Sequence, residues 1–291
     1  MKILVTGGAG FIGSHIVDIL IENGHDVSIL DNLSTGNEKN LNSKAKFIKG
    51  DILDKNLDLT GFDCVIHEAA QINVRTSIED PVFDANINIL GIVNILKKMK
   101  ENGVKKIIFS SSVATVGEPE YLPVDENHTL KPLSPYGLSK VCAEEYIKLY
   151  NKFYGTEYCI LRYANVYGER QDPLGEAGVI SIFIDKMKKG EQPVIYGDGN
   201  QTRDFVNVKD VARANLMALN WKNETVNICS GKEISINELF KIISSEHGFN
   251  LDPIYECGRD GEIYSIYMDY SKAKTLGWIP EVELKNGIKE I

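Results

Sequence analysis

Lys2-Ile3-Leu4-Val5-Thr6-Gly7-Gly8-Ala9-Gly10-Phe11-Ile12-Gly13 opens the chain and decides its fold. The first residues after Met1 make a short apolar run of the kind buried in a parallel sheet. Gly7, Gly10 and Gly13 come next with G-x-x-G-x-x-G spacing, and Ile16, Val17, Ile19 and Leu20 then repeat at a helical period. Strand, glycine turn and helix in this order let the backbone approach a pyrophosphate at a helix N-terminus. Gly7, Gly10, Phe11, Ile12 and Gly13 are the contacts this motif predicts.

Moving outward, Asp26-Val27-Ser28-Ile29-Leu30 reads as a second strand ending in Asp31-Asn32. An acid about 20 residues beyond the glycines can bond both ribose hydroxyls of an adenosine. It would repel a 2′-phosphate, so the expected cofactor is NAD and not NADP. Phe47-Ile48 leads to Gly50-Asp51-Ile52, and Cys64-Val65-Ile66-His67 is a further buried strand ending in Glu68-Ala69-Ala70. Small residues at a strand's C-terminal end suit a flat cofactor. His67 itself reads as a packed strand residue. A helical stretch is predicted from Ile78 to Glu101. Within it, Asn88-Ile89-Leu90-Gly91 is a polar and small insertion in an apolar face. Lys106-Ile107-Ile108-Phe109 is the next strand and ends in Ser110-Ser111-Ser112. Strands alternating with helices, with ligand residues at strand ends, describe an α/β, Rossmann-type, doubly wound parallel sheet.

The stretch Ser134-Pro135-Tyr136-Gly137-Leu138-Ser139-Lys140 reads as a helix start. Ser134 is a plausible cap and Pro135 suits the first helical position. Tyr136 and Lys140 are then i and i+4 and leave the helix on one face. A lysine ammonium near a phenol favours the phenolate, which makes Tyr136 a usable base near neutral pH.

The 291 residues, 43% hydrophobic and 25% charged, suit one large domain or two smaller ones. A net charge of −9 argues against a general nucleic-acid binder. It still allows local phosphate binding by backbone amides and a few arginines. No apolar run reaches the roughly 18 residues of a membrane span, and no signal-like segment opens the chain. Cys64, Cys142, Cys159, Cys229 and Cys257 are scattered without metal spacing, so no metal site is expected. Reduced thiols suggest a cytoplasmic protein.

Together, Thr6 to Gly13, Asp31-Asn32-Leu33, Ser110-Ser111-Ser112 and Tyr136-x-x-x-Lys140 resemble the extended short-chain dehydrogenase/reductase superfamily over nearly the whole chain. Within it, the chain is most similar to the nucleotide-sugar epimerases that interconvert UDP-glucose and UDP-galactose. The resemblance implies that Gly7, Gly10 and Gly13 hold the pyrophosphate and that Asp31 and Asn32 hold the adenine ribose. Asp51 and Ile52 would flank the adenine, and Ala69 and Ala70 would line the cofactor channel. Asn88 matches the family's Asn-Ile-x-Gly, and Ser110 would touch the cofactor. Ser112 takes the place of the catalytic hydroxyl in preference to Ser111, Tyr136 that of the base, and Lys140 that of the residue on the nicotinamide ribose. One departure is Val113-Ala114-Thr115-Val116-Gly117, where the family usually has Tyr-Gly after these serines.

In the second half, Tyr158-Cys159-Ile160-Leu161 is a strand, followed by Arg162-Tyr163-Ala164-Asn165-Val166-Tyr167-Gly168. So many polar and glycine residues after an apolar run favour a site. By resemblance, Tyr163 is placed on the nicotinamide side and Asn165 on the sugar diphosphate. Gly178-Val179 opens a helix whose first turn could meet nucleotide phosphates. Val194 to Arg203 resembles a segment that brackets uracil. Arg203 is the expected diphosphate ligand, since a guanidinium forks onto phosphate oxygens, with Asp204 orienting it. Arg259 and Glu262 resemble a second phosphate ligand and a ribose ligand. Ile266 falls where some epimerases carry a bulky tyrosine, which leaves more room for the sugar.

The implied layout is an NAD-binding domain at 1–165 and 207–230, with a smaller α/β nucleotide-sugar-binding subdomain at 166–206 and 231–291. The implied reaction is 4-epimerisation of a UDP-hexose through a 4-keto sugar. A UDP-N-acetylhexosamine or UDP-hexuronate substrate is the alternative. A 4,6-dehydratase ranks lower, because Val113 and Ala114 stand where dehydratases carry an Asp-Glu pair. A non-catalytic NAD(H)-binding module would have no need of Ser112, Tyr136 and Lys140. The family's dimers suggest a homodimer sealed by the helices around Asn88 and Tyr136.

Overall fold

The computed structural model describes residues 1–173, 178–258 and 263–291. The chain begins with β1 (Lys2–Thr6), α1 (Phe11–Glu22), β2 (Asp26–Asp31), β3 (Lys46–Lys49) and β4 (Cys64–His67). Short helices α2 (Val74–Glu79) and α3 (Pro81–Ala85) lead through a π-helical turn, Asn86–Leu90, into α4 (Gly91–Asn102). Next come β5 (Lys106–Ser112), α5 (Pro135–Tyr154), β6 (Glu157–Tyr163), β7 (Asn165–Tyr167), α6 (Val179–Lys188), β8 (Val194–Tyr196), β9 (Thr202–Arg203) and β10 (Phe205–Asn207). The chain closes with α7 (Val208–Ala218), β11 (Glu224–Ile228), β12 (Ile234–Ser235), α8 (Ile236–His247), β13 (Ile254–Glu256), α9 (Ser271–Thr275) and α10 (Leu284–Ile288).

Two compact units form. The first comprises Met1–Gly117, Leu130–Arg162 and Val211–Val226. Its seven-stranded sheet has the order β11-β6-β5-β4-β1-β2-β3. The pairs from β3 through β5 are all parallel. Strand order reverses between β1 and β4, where Thr6 lies opposite His67. Ligands of doubly wound sheets bind at such a switch point, outside the strands' carboxyl ends. Leu4, Val65, Ile92, Ile107, Ile147 and Ile160 share one buried cluster, which joins strands to α4 and α5.

Two elements differ from the sequence expectation. The helix expected from Ile78 starts at Val74 and breaks at Asp80. There the Asp80 carboxylate accepts from Phe83 N (2.9 Å) and Pro81 opens a new helix, so cap chemistry beats continuity. The strand expected at Lys106–Phe109, with the serines as its end, takes all three serines into β5, which runs to Ser112.

Glu118–Thr129, Tyr163–Asp210 and Asn227–Ile291 form the second unit. The expected boundaries are corrected most clearly at 118–129, a stretch whose position in the sequence puts it with the nucleotide domain. Val124 N donates to Tyr267 O (2.9 Å) and Asp269 N to Val124 O (2.9 Å). The Asn227 side chain adds a bond to Val124 O (3.0 Å). Backbone donors and acceptors must be paired somewhere, and this segment finds its partners in the second unit. Parallel pairs β7–β10 and β8–β13 and the antiparallel pair β9–β12 make its small sheets. Phe183 of α6 meets Phe240 of α8 edge-on, with ring centres 6.1 Å apart in a buried cluster.

Candidate active site

The glycine turn is built by exclusion of side chains. Gly7 has φ +70°, and a Cβ there would lie 2.7 Å from Ala69 N. A Cβ on Gly13 would lie 2.2 Å from Gly7 O. Only glycine fits either place. No side chain caps α1 at Gly10, and its first turn holds no acid, so its amide end is suited to an anion. Asp31 sits beside this turn, accepting from Ala9 N (3.0 Å) and Leu33 N (2.8 Å). Asn32 donates to Asp51 (2.9 Å), so these expected ribose and adenine residues form one edge. Ile52 is different: its carbonyl accepts from Asn94 (2.7 Å) and its side chain fills the core against Gly91. Ala69 and Ala70 are half-buried beside the glycine turn. This cradle fits the diphosphate and adenosine of a dinucleotide.

α5 begins as its sequence predicts. Ser134 Oγ accepts from Gly137 N (3.1 Å) and Pro135 takes the first position. A Cβ on Gly137 would lie 2.4 Å from Ala114 O, so this glycine seats the helix start on the turn after Ser112. Tyr136 and Lys140 are both buried, with 9% and 4% exposure. Lys140 Nζ donates to Ser110 O (2.8 Å) and lies 5.8 Å from the Tyr136 ring centre and 4.9 Å from that of Phe109. Burial pulls the Lys140 pKa down to about 8, while Glu68, Asp84 and Glu144 oppose the fall. Lys140 is thus a cation held in a dry site, poised to influence a neighbouring phenol.

The three serines of β5 separate into distinct tasks. Ser110 Oγ donates to Glu68. Ser111 Oγ donates to Glu144 (2.6 Å), which also accepts from Arg162 Nε (2.9 Å) and Nη2 (2.7 Å). Ser112 Oγ, half-buried, accepts from Ala114 N (3.1 Å). Ser111 is therefore committed to a buried ion pair.

Asn88 lies on the π-helical turn, a distortion often found at functional sites. Its amide donates to Gln71 O (2.8 Å), Asp84 Oδ1 (3.0 Å) and Ser139 Oγ (3.2 Å). Ser139 in turn donates to Tyr136 O (2.8 Å). Gln71, Asp84, Asn88 and Ser139 are all buried. Sequence reasoning missed Gln71, which comes from the loop after β4, and Asp84, although its i, i+4 spacing to the polar Asn88 was a signal that could have found it. His67 is a packed residue: it bonds Thr6 (2.8 Å), stacks on Phe109 and is driven neutral by burial, its pKa near 3.

In the second unit, Asn165, Val179 and Arg203 line one cavity of about 370 Å³. The Asn165 side chain donates to Asp204 O (3.1 Å). Arg203 Nη1 donates to Thr202 O (2.8 Å) and Tyr264 O (3.3 Å). Tyr196 and Gln201, from the stretch Val194 to Arg203, also line the cavity, as does Gln171, which was not singled out. Asp204 does not orient Arg203. Its buried carboxylate gathers Ser230 N and Oγ (2.8 and 2.6 Å), Gly231 N (3.0 Å) and Met268 N (3.3 Å). Tyr163 is 5% exposed and is not among the cavity's lining. Arg259 and Glu262 lie outside the described residues. Among the described residues no group of acids, cysteines and histidines could hold a metal, and no helix is long and apolar enough to cross a membrane.

Residues 3–229 match the NAD dependent epimerase/dehydratase family. A provisionally named UDP-glucose 4-epimerase of Methanocaldococcus jannaschii is 66% identical, covering 99% of this chain and 96% of its own. The crystal structure of the Thermotoga maritima UDP-glucose 4-epimerase with UDP-glucose superposes with a TM-score of 0.97 at 46% identity, covering 100% of this chain and 97% of its own. The Methanobrevibacter ruminantium UDP-N-acetylglucosamine 4-epimerase, in complex with UDP-N-acetylmuramic acid, gives 0.95 at 39% identity, covering 99% and 96%. A family match over most of the chain, a glycine cradle for a dinucleotide and a buried Tyr-Lys pair agree: the chain belongs to the NAD-dependent epimerase/dehydratase family, within the extended short-chain dehydrogenase/reductase superfamily.

Proposed function

We propose that the protein interconverts UDP-galactose and UDP-glucose by 4-epimerisation. The observation that carries this reading is the buried Lys140 ammonium, 5.8 Å from the Tyr136 ring centre and hydrogen-bonded at the end of β5. NAD, when bound, supplies the acceptor and donor for the C4 hydride. Gly7, Gly10, Phe11, Ile12 and Gly13 hold its diphosphate; Asp31, Asn32, Asp51, Ala69 and Ala70 hold its adenosine end and channel, with Ile52 behind them in the core. Asn88, Ser110, Lys140 and Tyr163 hold its nicotinamide end. Tyr136, as phenolate, takes the proton of the sugar's C4 hydroxyl, and Ser112 bonds the same oxygen. The proton is returned after the 4-keto sugar has presented its other face. Asn165, Val179, Arg203, Arg259 and Glu262 keep the UDP moiety anchored meanwhile, which is what lets the ketone turn without being lost.

Commitment of Ser111 to Glu144 supports Ser112 as the hydroxyl that meets the sugar. Tyr136→Phe tests the assignment. Turnover should fall by about 10²–10⁴-fold, with NAD still bound. Undiminished turnover overturns the role of Tyr136.

A second reading, a UDP-N-acetylhexosamine substrate, is supported by the likeness to the M. ruminantium enzyme and by Ile266 in place of a larger residue. Conversion of UDP-N-acetylgalactosamine supports it; inertness toward that sugar while UDP-galactose reacts removes it.

We also propose a homodimer in the cytoplasm. Val82 (69% exposed), Leu90, Leu138 and Phe153 (65%) leave an apolar face on the helices around Asn88 and Tyr136. Five unpaired cysteines suit a reducing compartment.

A further inference from the structure

Lys140 is an unusual cation. It is 4% exposed, yet among the described residues no carboxylate lies within ion-pair distance of its Nζ. Its hydrogen bond goes to a backbone carbonyl, Ser110 O, at 2.8 Å. An ammonium so buried should give up its proton unless negative charge stands nearby. The charged and titratable groups that face it come from several elements. Glu144, on its own helix, is neutralised by the two-pronged grip of Arg162. Asp84, in α3, takes the amides of Gln71 and Asn88, and burial raises its pKa, which weakens it as a standing charge. His67, on β4, is neutral. Tyr136 contributes charge only once ionised. Glu68, the residue after β4, is half-buried and accepts from the hydroxyl of Ser110, the same residue whose carbonyl receives Lys140.

We propose that Glu68 is a positioning residue for the reaction, whose carboxylate holds Ser110 in place and keeps the Lys140 ammonium charged beside Tyr136. That role rests on the Tyr136–Lys140 reading above. Glu68 touches Ser110 and influences the phenol through Lys140. Glu68 raises the Lys140 pKa against burial, so removing its charge lets Lys140 lose its proton at lower pH.

The test is Glu68→Gln, which keeps an acceptor for Ser110 and removes the charge. Lys140 is titrated by carbon NMR of ε-labelled lysine, its signal assigned by its loss in Lys140→Arg. The expected result is a midpoint lower by about one pH unit than in the unsubstituted protein. The alkaline limb of turnover with UDP-galactose should move down with it. An unchanged midpoint overturns the proposal, whatever happens to the rate. If Glu68→Gln does not fold, Glu68→Asp serves: with the charge retained, the midpoint must stay near that of the unsubstituted protein, and a fall overturns the proposal. The NMR titration needs no substrate, so absence of turnover would count against the epimerase reading and leave this inference testable.

Discussion

At the residue scale, reactivity is set by burial acting on single charges. Lys140 sits in a site so dry that its pKa falls to about 8, mainly through loss of water. Below about 8 the ammonium is present and favours the Tyr136 phenolate; above it the charge is lost. Turnover is therefore expected to decline as pH rises through about 8, and a pH–rate profile flat to about pH 10 would contradict this. The Tyr136–Lys140 pair was legible in the sequence because i and i+4 on a capped helix must share a face. Gln71 was not, because it meets Asn88 from a loop 17 residues away; Asp84 stands at i−4 from Asn88, and the same helical rule could have found it. Asp204 misleads for a related reason. An acid beside an arginine suggests a pair, but its carboxylate is consumed by backbone amides from residues 230, 231 and 268.

At the element scale, β5, β6 and α5 are clamped by one buried ionic contact. Glu144 of α5 accepts from Nε and Nη2 of Arg162 on β6 and from the hydroxyl of Ser111 on β5. Glu144 is fully buried and the Arg162 side chain 4% exposed. Breaking such a pair strands a buried charge, which costs roughly 3–5 kcal/mol. Glu144→Gln should lower stability by that order in urea denaturation, and a loss under about 1 kcal/mol would show that the clamp is dispensable. The strands themselves were readable, since buried parallel strands are short apolar runs between glycine turns. The length of β5 was not. Serines mark strand ends and caps as readily as ladder positions, and here the sheet keeps all three. The break at Asp80–Pro81 was present in the sequence as a cap followed by proline, but the apolar period on either side masked it.

At the scale of the whole molecule, the chain is one family fold whose segments alternate between two compact units. The glycine turn, the acid that ends β2 and the alternation of strands with helices were all implied by residues 1–112. The excursion of 118–129 was not, because its partners Asn227 and Tyr267 lie over a hundred residues away in the sequence. The exposed apolar face gives a further expectation. If Val82 and Phe153 lie in a seam between copies, replacing both with glutamate should convert a dimer to a monomer in light scattering after size exclusion. A monomer before substitution would exclude the seam. The central claim is 4-epimerisation, and one mixture tests it. Purified protein is incubated with UDP-galactose, with and without added NAD, and the products are separated by chromatography. UDP-glucose should appear, and the two sugars should approach the same fixed ratio from either side. No UDP-glucose in either mixture would contradict 4-epimerisation.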